Sequence, residues 1–188
     1  MSLTIRTATA ADAGTLAELA AATFALACPP HTTADAIAEF IATHLSQDGF
    51  DAYLADPARV LLIAEQQRAQ RATDAAPDPL AVGYTMLVFG EPTDVDVAEA
   101  IGIRPTVELS KFYTRASIHG TGVSGPLMAA TLAAAGERGA AGAWLGVNEE
   151  NARAIRFYEK NGFGRVGTKH FLVGDRYEDD FVLERGLP

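Results

Sequence analysis

The stretch that decides the fold is Trp144–Phe163, WLGVNEENARAIRFYEKNGF. Ala143 and the apolar WLGV that follows it have the composition of a buried strand. Asn151 then stands where a helix cap is expected, and its short side chain can accept the amide hydrogens that open a first turn. ARAIRFYEK continues as a helix carrying the adjacent aromatics Phe157 and Tyr158, and Gly162 stops it. Within twenty residues the chain therefore spells strand, cap, helix and stop.

One helix upstream lies a glycine turn, GTGVSG at 120–125. By letters alone it fits G-x-G-x-x-G, a dinucleotide-binding pattern, and Glu149 and Glu150 fall after the next strand, where a ribose-binding acid would be sought. The order of elements weighs against that reading. LTIRTAT alternates as a half-buried strand, and AADAGTLAELAAATFALA places Leu16, Leu19, Ala20 and Phe24 at helical spacing. Thr33 can cap a second helix, ADAIAEFIATHL, with Ile37, Phe40, Ile41 and Leu45 on one face. DPARVLLIAEQ and PLAVGYTMLVFG read as two hairpin strands joined by the polar QRAQRATDAAPDP, and GEPTDVDVAEA reads as an acidic loop before the strand TVELSKFYT. After the glycine turn come a helix stopped by Gly139, the strand and helix already described, and two closing strands in VGTKHFLVG and EDDFVLER. A doubly wound nucleotide fold alternates strand and helix from its start, with its glycine loop directly after the first strand. Here a predicted antiparallel hairpin precedes the turn, and RASIH separates the turn from its strand.

The skeleton L-x-V-x-x-x-N-x-x-A-x-x-F-Y-x-x-x-G-F, with a glycine turn one helix earlier, resembles the GCN5-related N-acetyltransferase (GNAT) superfamily. The wider pattern, VELSKFYT, WLGV and GTKHFLVGD, is most similar to its bacterial spermidine/spermine N-acetyltransferase branch. The resemblance runs from about Val107 to the C-terminus. It implies an α/β (α+β) GNAT fold, one domain over 1–188 with a mixed central sheet of about seven strands, flanking helices and a splay between the fourth and fifth strands. It also implies acetyl-CoA as co-substrate and a small-molecule amine as acceptor, a polyamine as first choice. A non-catalytic acyl-CoA-binding module and, behind it, an NAD-binding oxidoreductase remain the alternatives.

Under the resemblance, His119, Gly120, Thr121, Gly122, Val123, Ser124 and Gly125 hold the CoA pyrophosphate through backbone amides and the positive end of the next helix. His119 and Thr121 stand where the family often has a basic residue or Gln and a Lys or Arg, so the loop offers less fixed positive charge. Pro126 is tolerated only in a first turn, which predicts a helix start near Ser124. Phe112, Tyr113 and Thr114 would pair with the pantetheine amides as an added strand, and Asn151 would bond the same arm or cap its helix, or both.

An amine acceptor, mostly protonated at neutral pH, must lose a proton before it attacks a thioester. Glu108, fourteen positions ahead of Gly122, is placed like the catalytic Glu of histone-acetylating members and is the candidate base; the alternative is a surface-strand carboxylate. Tyr158 is the candidate acid for the departing thiolate; the alternative, a core aromatic, suits Phe157 better. Trp144 reads as core or pocket wall. Glu91, Asp94, Asp96 and Glu99, with Glu178, Asp179 and Asp180, would line the acceptor mouth or form a solvated acidic surface.

Composition sets outer bounds. With 188 residues, 48% hydrophobic, the chain can bury the core of one globular domain. A net charge of -9 disfavours nucleic acid and anionic membranes as partners. The opening MSLTIRTATAADAG has no signal pattern, so a cytoplasmic location is expected. The single cysteine, Cys28, excludes an internal disulfide and a multi-cysteine metal site. His31, His44 and His170 lack metal-ligand spacing, so no metal is predicted. A homodimer is left open.

Overall fold

A computed structural model describes residues 2–67, 79–118, 120, 122–173 and 176–188, with backbone alone at 171–173 and 176–178. QRAQRATDAAPDP therefore lies almost wholly outside the described residues, as do His119 and Thr121. The chain runs β1 (Leu3–Thr7), α1 (Ala13–Thr23), α2 (Ala34–His44), α3 (Gln47–Ala55), β2 (Arg59–Gln66), β3 (Leu80–Phe89), α4 (Val95–Ala100), β4 (Thr106–Thr114), α5 (Ser124–Glu137), β5 (Gly142–Asn148), α6 (Ala152–Lys160), β6 (Gly164–Val173) and β7 (Arg176–Gly186).

The seven strands form one mixed sheet in the order β1-β2-β3-β4-β5-β7-β6. Every neighbouring pair is antiparallel except β4 with β5. This is the sheet expected from the sequence, and one parallel pair is incompatible with a doubly wound dinucleotide fold, whose sheet is mostly parallel.

Alternation along β2 sends Leu61 and Ile63 to a cluster with Leu16 and Leu19 of α1, Phe24 just after it, and Phe50 of α3, against which Ile37, Phe40 and Ile41 of α2 also pack. Leu62 and Ala64 go to the opposite face, against Val123 and Leu127 at the start of α5. On that second face Leu109, Met128, Leu145, Tyr158 and Leu183 draw β4, α5, β5, α6 and β7 together. Each large apolar side chain taken out of water contributes about 2 kcal/mol, so both faces of the sheet are anchored strongly on either side of the β4–β5 junction.

Two helices depart from the sequence expectation. QDGFDAYLA is α3: the Ser46 hydroxyl accepts from the Gly49 amide at 3.2 Å, and Phe50 packs edge-on against Tyr84 with ring centroids 5.7 Å apart. Tertiary burial of Phe50 outweighs the poor helix propensity of Gly49. The acidic stretch expected as a loop contains α4, capped by the Asp94 carboxylate, which accepts from the amides of Asp96 and Val97. Val97 on this short helix is buried with Ile101, Trp144 and Val182.

Candidate functional site

β4 and β5 stay paired over three positions only, Thr106 with Gly142, Val107 with Ala143 and Glu108 with Trp144. Beyond Glu108 both strands continue, β4 to Thr114 and β5 to Asn148, without pairing. At the same point β4 bulges against β3. Leu109 stands opposite Leu87 and Lys111 opposite Met86, leaving Ser110 as the extra residue. A bulge bends its strand and increases its twist, which turns β4 away from β5. The result is a cleft of about 400 Å³ that opens between the two strands.

The cleft gathers side chains from distant parts of the chain. From β4 come Glu108 through Thr114; from β5, Gly146, Val147 and Asn148; and from the glycine turn and α6, Gly120, Ser124, Asn151, Phe157 and Tyr158. Phe24, Cys28, Phe40 and Leu45 close one side. Of the residues expected in catalytic and cofactor-binding roles, Glu108, Phe112, Tyr113, Thr114, Gly120, Ser124, Asn151 and Tyr158 line this cleft. Gly122, Val123 and Gly125 share the turn without lining the cleft, and His119 and Thr121 lie outside the described residues.

At one end of the cleft, Gly120 and Gly122 take φ of +80° and +85°, the left-handed region that L side chains avoid. A Cβ on either would meet nothing within 4 Å among the described residues, so it is the backbone conformation that calls for glycine here. α5 starts at Ser124 with Pro126 in its first turn, as the proline predicts. Among the described residues no side chain caps it, and Val123 is anchored in the core at 2% exposure. Its first amides therefore remain as donors beside the cleft, reinforced by the helix dipole.

Across the splay, aromatic rings join β4 to α6. Phe112 lies 5.2 Å from Phe157 and 6.4 Å from Tyr158, and Tyr158 lies 5.8 Å from Phe163. α6 is held as its sequence predicts: Asn151 Oδ1 accepts from the Ala154 amide at 3.1 Å, and Gly162 ends the helix at φ +83°. Tyr158 is the buried member of the aromatic pair, and Phe157 is half-buried, packed on the core and lining the cleft. Burial raises the Tyr158 phenol well above its ordinary pKa, and among the described residues its hydroxyl has no hydrogen-bond partner.

The charges at the cleft differ from the acidic mouth considered from the sequence. Glu91 pairs with Arg104 at 2.7 Å and Asp94 caps α4; neither they nor Asp96 and Glu99 line the cleft. They belong to the β3–β4 connection, which α4 holds against β6. Asp179 pairs with His170 at 2.8 Å, so only Asp180 of the second acidic group lines it; the Glu178 side chain is outside the described residues. Among the described residues the cleft carries the carboxylates Glu108 and Asp180 and the cations Lys111, Arg153 and Lys169.

Lys111 was not singled out by sequence, nor was the phenol of Tyr113. Burial chiefly pushes the Lys111 ammonium down to about 8, with Glu108 opposing and Arg59 adding to the shift. Tyr113 stacks on Tyr84 at 5.6 Å, and burial raises its phenol as well. The only signal for either is its place in TVELSKFYT, whose alternation is reset by the bulge. Among the described residues no three metal-ligating side chains gather, and no helix is long and apolar enough to cross a membrane.

Residues 26–163 match the model of the acetyltransferase (GNAT) family. The chain belongs to that family. An uncharacterized N-acetyltransferase of Mycobacterium tuberculosis is 42% identical over 176 residues, covering 94% of this chain and 98% of that protein. In fold, this GNAT chain is similar to the PaiA N-acetyltransferase of Thermoplasma acidophilum crystallised with coenzyme A, with a TM-score of 0.73, 19% identity and 99% of each chain covered. Arabidopsis thaliana NAA60 in complex with acetyl-CoA also gives a TM-score of 0.73, at 14% identity and with 99% of each chain covered.

Proposed function

We propose that the chain is an N-acetyltransferase, acting as one domain, that moves the acetyl group of acetyl-CoA to a primary amine of a small molecule. The observation that carries this reading is the splayed β4–β5 cleft, which brings uncapped helix amides, an open strand edge and the buried phenol of Tyr158 to one groove. The residues present suit the co-substrate. Amides around Gly120–Gly125 and the α5 N-terminus would take the pyrophosphate. The β4 edge beyond Glu108 has lost its strand partner and would pair with the pantetheine amides, and one of its N–H groups would polarise the thioester carbonyl.

Glu108 would accept a proton from the acceptor ammonium, directly or through water. The free amine then attacks the carbonyl carbon, forming the C–N bond as the C–S bond breaks. Tyr158 would donate its proton to the departing thiolate, the new amide nitrogen would give up its second proton to the resulting phenolate directly or through water, Glu108 would release its proton to solvent, and the products are an N-acetylated amine and CoA thiol. The polyamine suggested by resemblance finds little charge complement here, since two carboxylates face three cations among the described lining residues.

Thermal shift with CoA and NAD tests the co-substrate. Free ligand at a hundred times Kd stabilises by about 2.7 kcal/mol, so CoA should raise the melting temperature and NAD should not. Stabilisation by NAD alone would overturn the reading. Thiol release from acetyl-CoA across an amine panel then tests turnover. Tight CoA binding with no turnover on any amine would favour the binding module over the enzyme.

A further inference from the structure

Lys111 occupies an unusual position. Ser110 is the inserted residue of the bulge, so Phe112 joins the α5–α6 face while Tyr113 joins the cluster of α1–α3. By the same alternation Lys111 projects to the α1–α3 side, where its Nζ lies 5.4 Å from the centre of the Tyr53 ring. The Arg59 guanidinium sits over the same ring at 4.8 Å. Arg59 is compensated, since its Nε donates to Asp56 at 2.9 Å. Lys111 is not: among the described residues no carboxylate stands within 4 Å of its ammonium. Glu108 feels its charge from the same strand but forms no ion pair with it.

The other opposite charges in the cleft lie together. Lys169 and Asp180 are cross-strand partners, and Lys169 Cε and Asp180 Oδ2 come within 2.5 and 3.1 Å of where a Cβ on Gly146 would stand, so the two charges are near neighbours. Arg153 comes from α6, on the far side of the splay, so the charged side chains that β4 itself brings to the cleft are Glu108 and Lys111, separated along the strand and unpaired with one another. A half-buried ammonium without a counter-ion is unfavourable, and a ligand anion would relieve it.

We propose that the acceptor is an amino-acid-like zwitterion, whose ammonium meets Glu108 and whose adjacent carboxylate meets Lys111, making Lys111 the residue that selects it. The inference rests on the acetyltransfer reading. It places the acceptor in a different chemical class from a polyamine, which offers a second cation where Lys111 asks for an anion.

The test uses the full chain, acetyl-CoA and matched acceptors: phenylalanine with phenethylamine, lysine with cadaverine, and alanine with ethylamine. Amino-acid amides, which keep the neighbouring carbonyl and lose the carboxylate, control for amine basicity. Wild-type kcat/KM from thiol release should favour the carboxylate members by tenfold or more. Lys111→Met should bring each ratio to about one, chiefly through KM for the carboxylate members, while CoA still raises the melting temperature; Lys111→Arg should keep part of the preference. Equal or better turnover of the amides and decarboxylated amines by the wild type overturns the inference and leaves acetyltransfer standing, as does a preference that survives Lys111→Met. No turnover of any acceptor overturns it too. Absence of CoA stabilisation in addition would bring down the acetyltransfer reading itself.

Discussion

Replacing Tyr158 by Phe removes one oxygen and leaves the ring. That ring lies 6.4 Å from Phe112, 5.6 Å from Phe157 and 5.8 Å from Phe163, and Phe would keep all three contacts. No described residue hydrogen-bonds the hydroxyl, so no protein partner is orphaned, and the change in folding stability should stay within about 0.5 kcal/mol. The cost should fall on chemistry. Burial raises the phenol's pKa, so the group keeps its proton throughout an assay range of about pH 6 to 9. Position-matched acids are worth about a hundred- to ten-thousandfold, but a thiol of pKa about 8.5 is a fairly good leaving group, which points to the lower end. The expected loss in kcat is therefore roughly ten- to a thousandfold, or about 1.4 to 4 kcal/mol in the barrier. Because the phenol does not titrate in that range, the ratio to wild type should be flat with pH. Thiol release under saturating acetyl-CoA gives kcat, and thermal shift with CoA checks binding. A kcat within twofold of wild type would refute the role, and so would a loss explained by weakened CoA binding.

Gly122→Ala places a side chain at φ +85°, a strain of about 1–2 kcal/mol with no clash among the described residues; the apo melting temperature should fall by about 2–8 °C, and the CoA-induced thermal shift should shrink as well. Tyr84 is fully buried and its hydroxyl has no partner among the described residues, so Tyr84→Phe should stabilise the chain by about 1–3 kcal/mol in urea denaturation; destabilisation would reveal a bond to that hydroxyl. Arg6 donates to both Asp12 and Glu65 at 2.7 Å, and its guanidinium chiefly, with the Thr9 amide, holds Asp12 well below the usual carboxylate range. A depressed folded-state pKa contributes stability that is present above about pH 4 and lost as the pH falls through the folded value. Asp12→Asn should therefore cost about 1–3 kcal/mol at pH 7, toward the low end because the Arg6 side chain is 38% exposed, and the gap to wild type should narrow in acid. A gap unchanged down to pH 2 would count against the ion pair as its source.

Legibility along the chain follows the range of the interactions involved. The Asn151 cap, the Gly162 stop and the start of α5 near Ser124 were readable because each depends on groups within about four residues: a side chain and an amide in one turn, a left-handed φ, a proline without N–H. β4 was readable from TVELSKFYT by its composition alone. α3 was not, because the helix containing Gly49 is stabilised by Phe50 packing on Tyr84, thirty-four positions away. Nor was the destination of the acidic stretch, since Asp94 caps a helix whose Val97 is buried against Trp144 and Val182.

By itself, then, the sequence determined which residues lie on the turn, the strand and the helix that meet at the cleft, since backbone preferences are local. Tertiary structure alone decided that β7 enters between β5 and β6, that the splay expected between the fourth and fifth strands begins just after Glu108, and that the bulge at Ser110 turns Lys111 into the cleft in place of the expected ring of carboxylates. Strand pairing and the desolvation of charge are sums over groups far apart in the chain, and their outcome is fixed only when those groups are brought together.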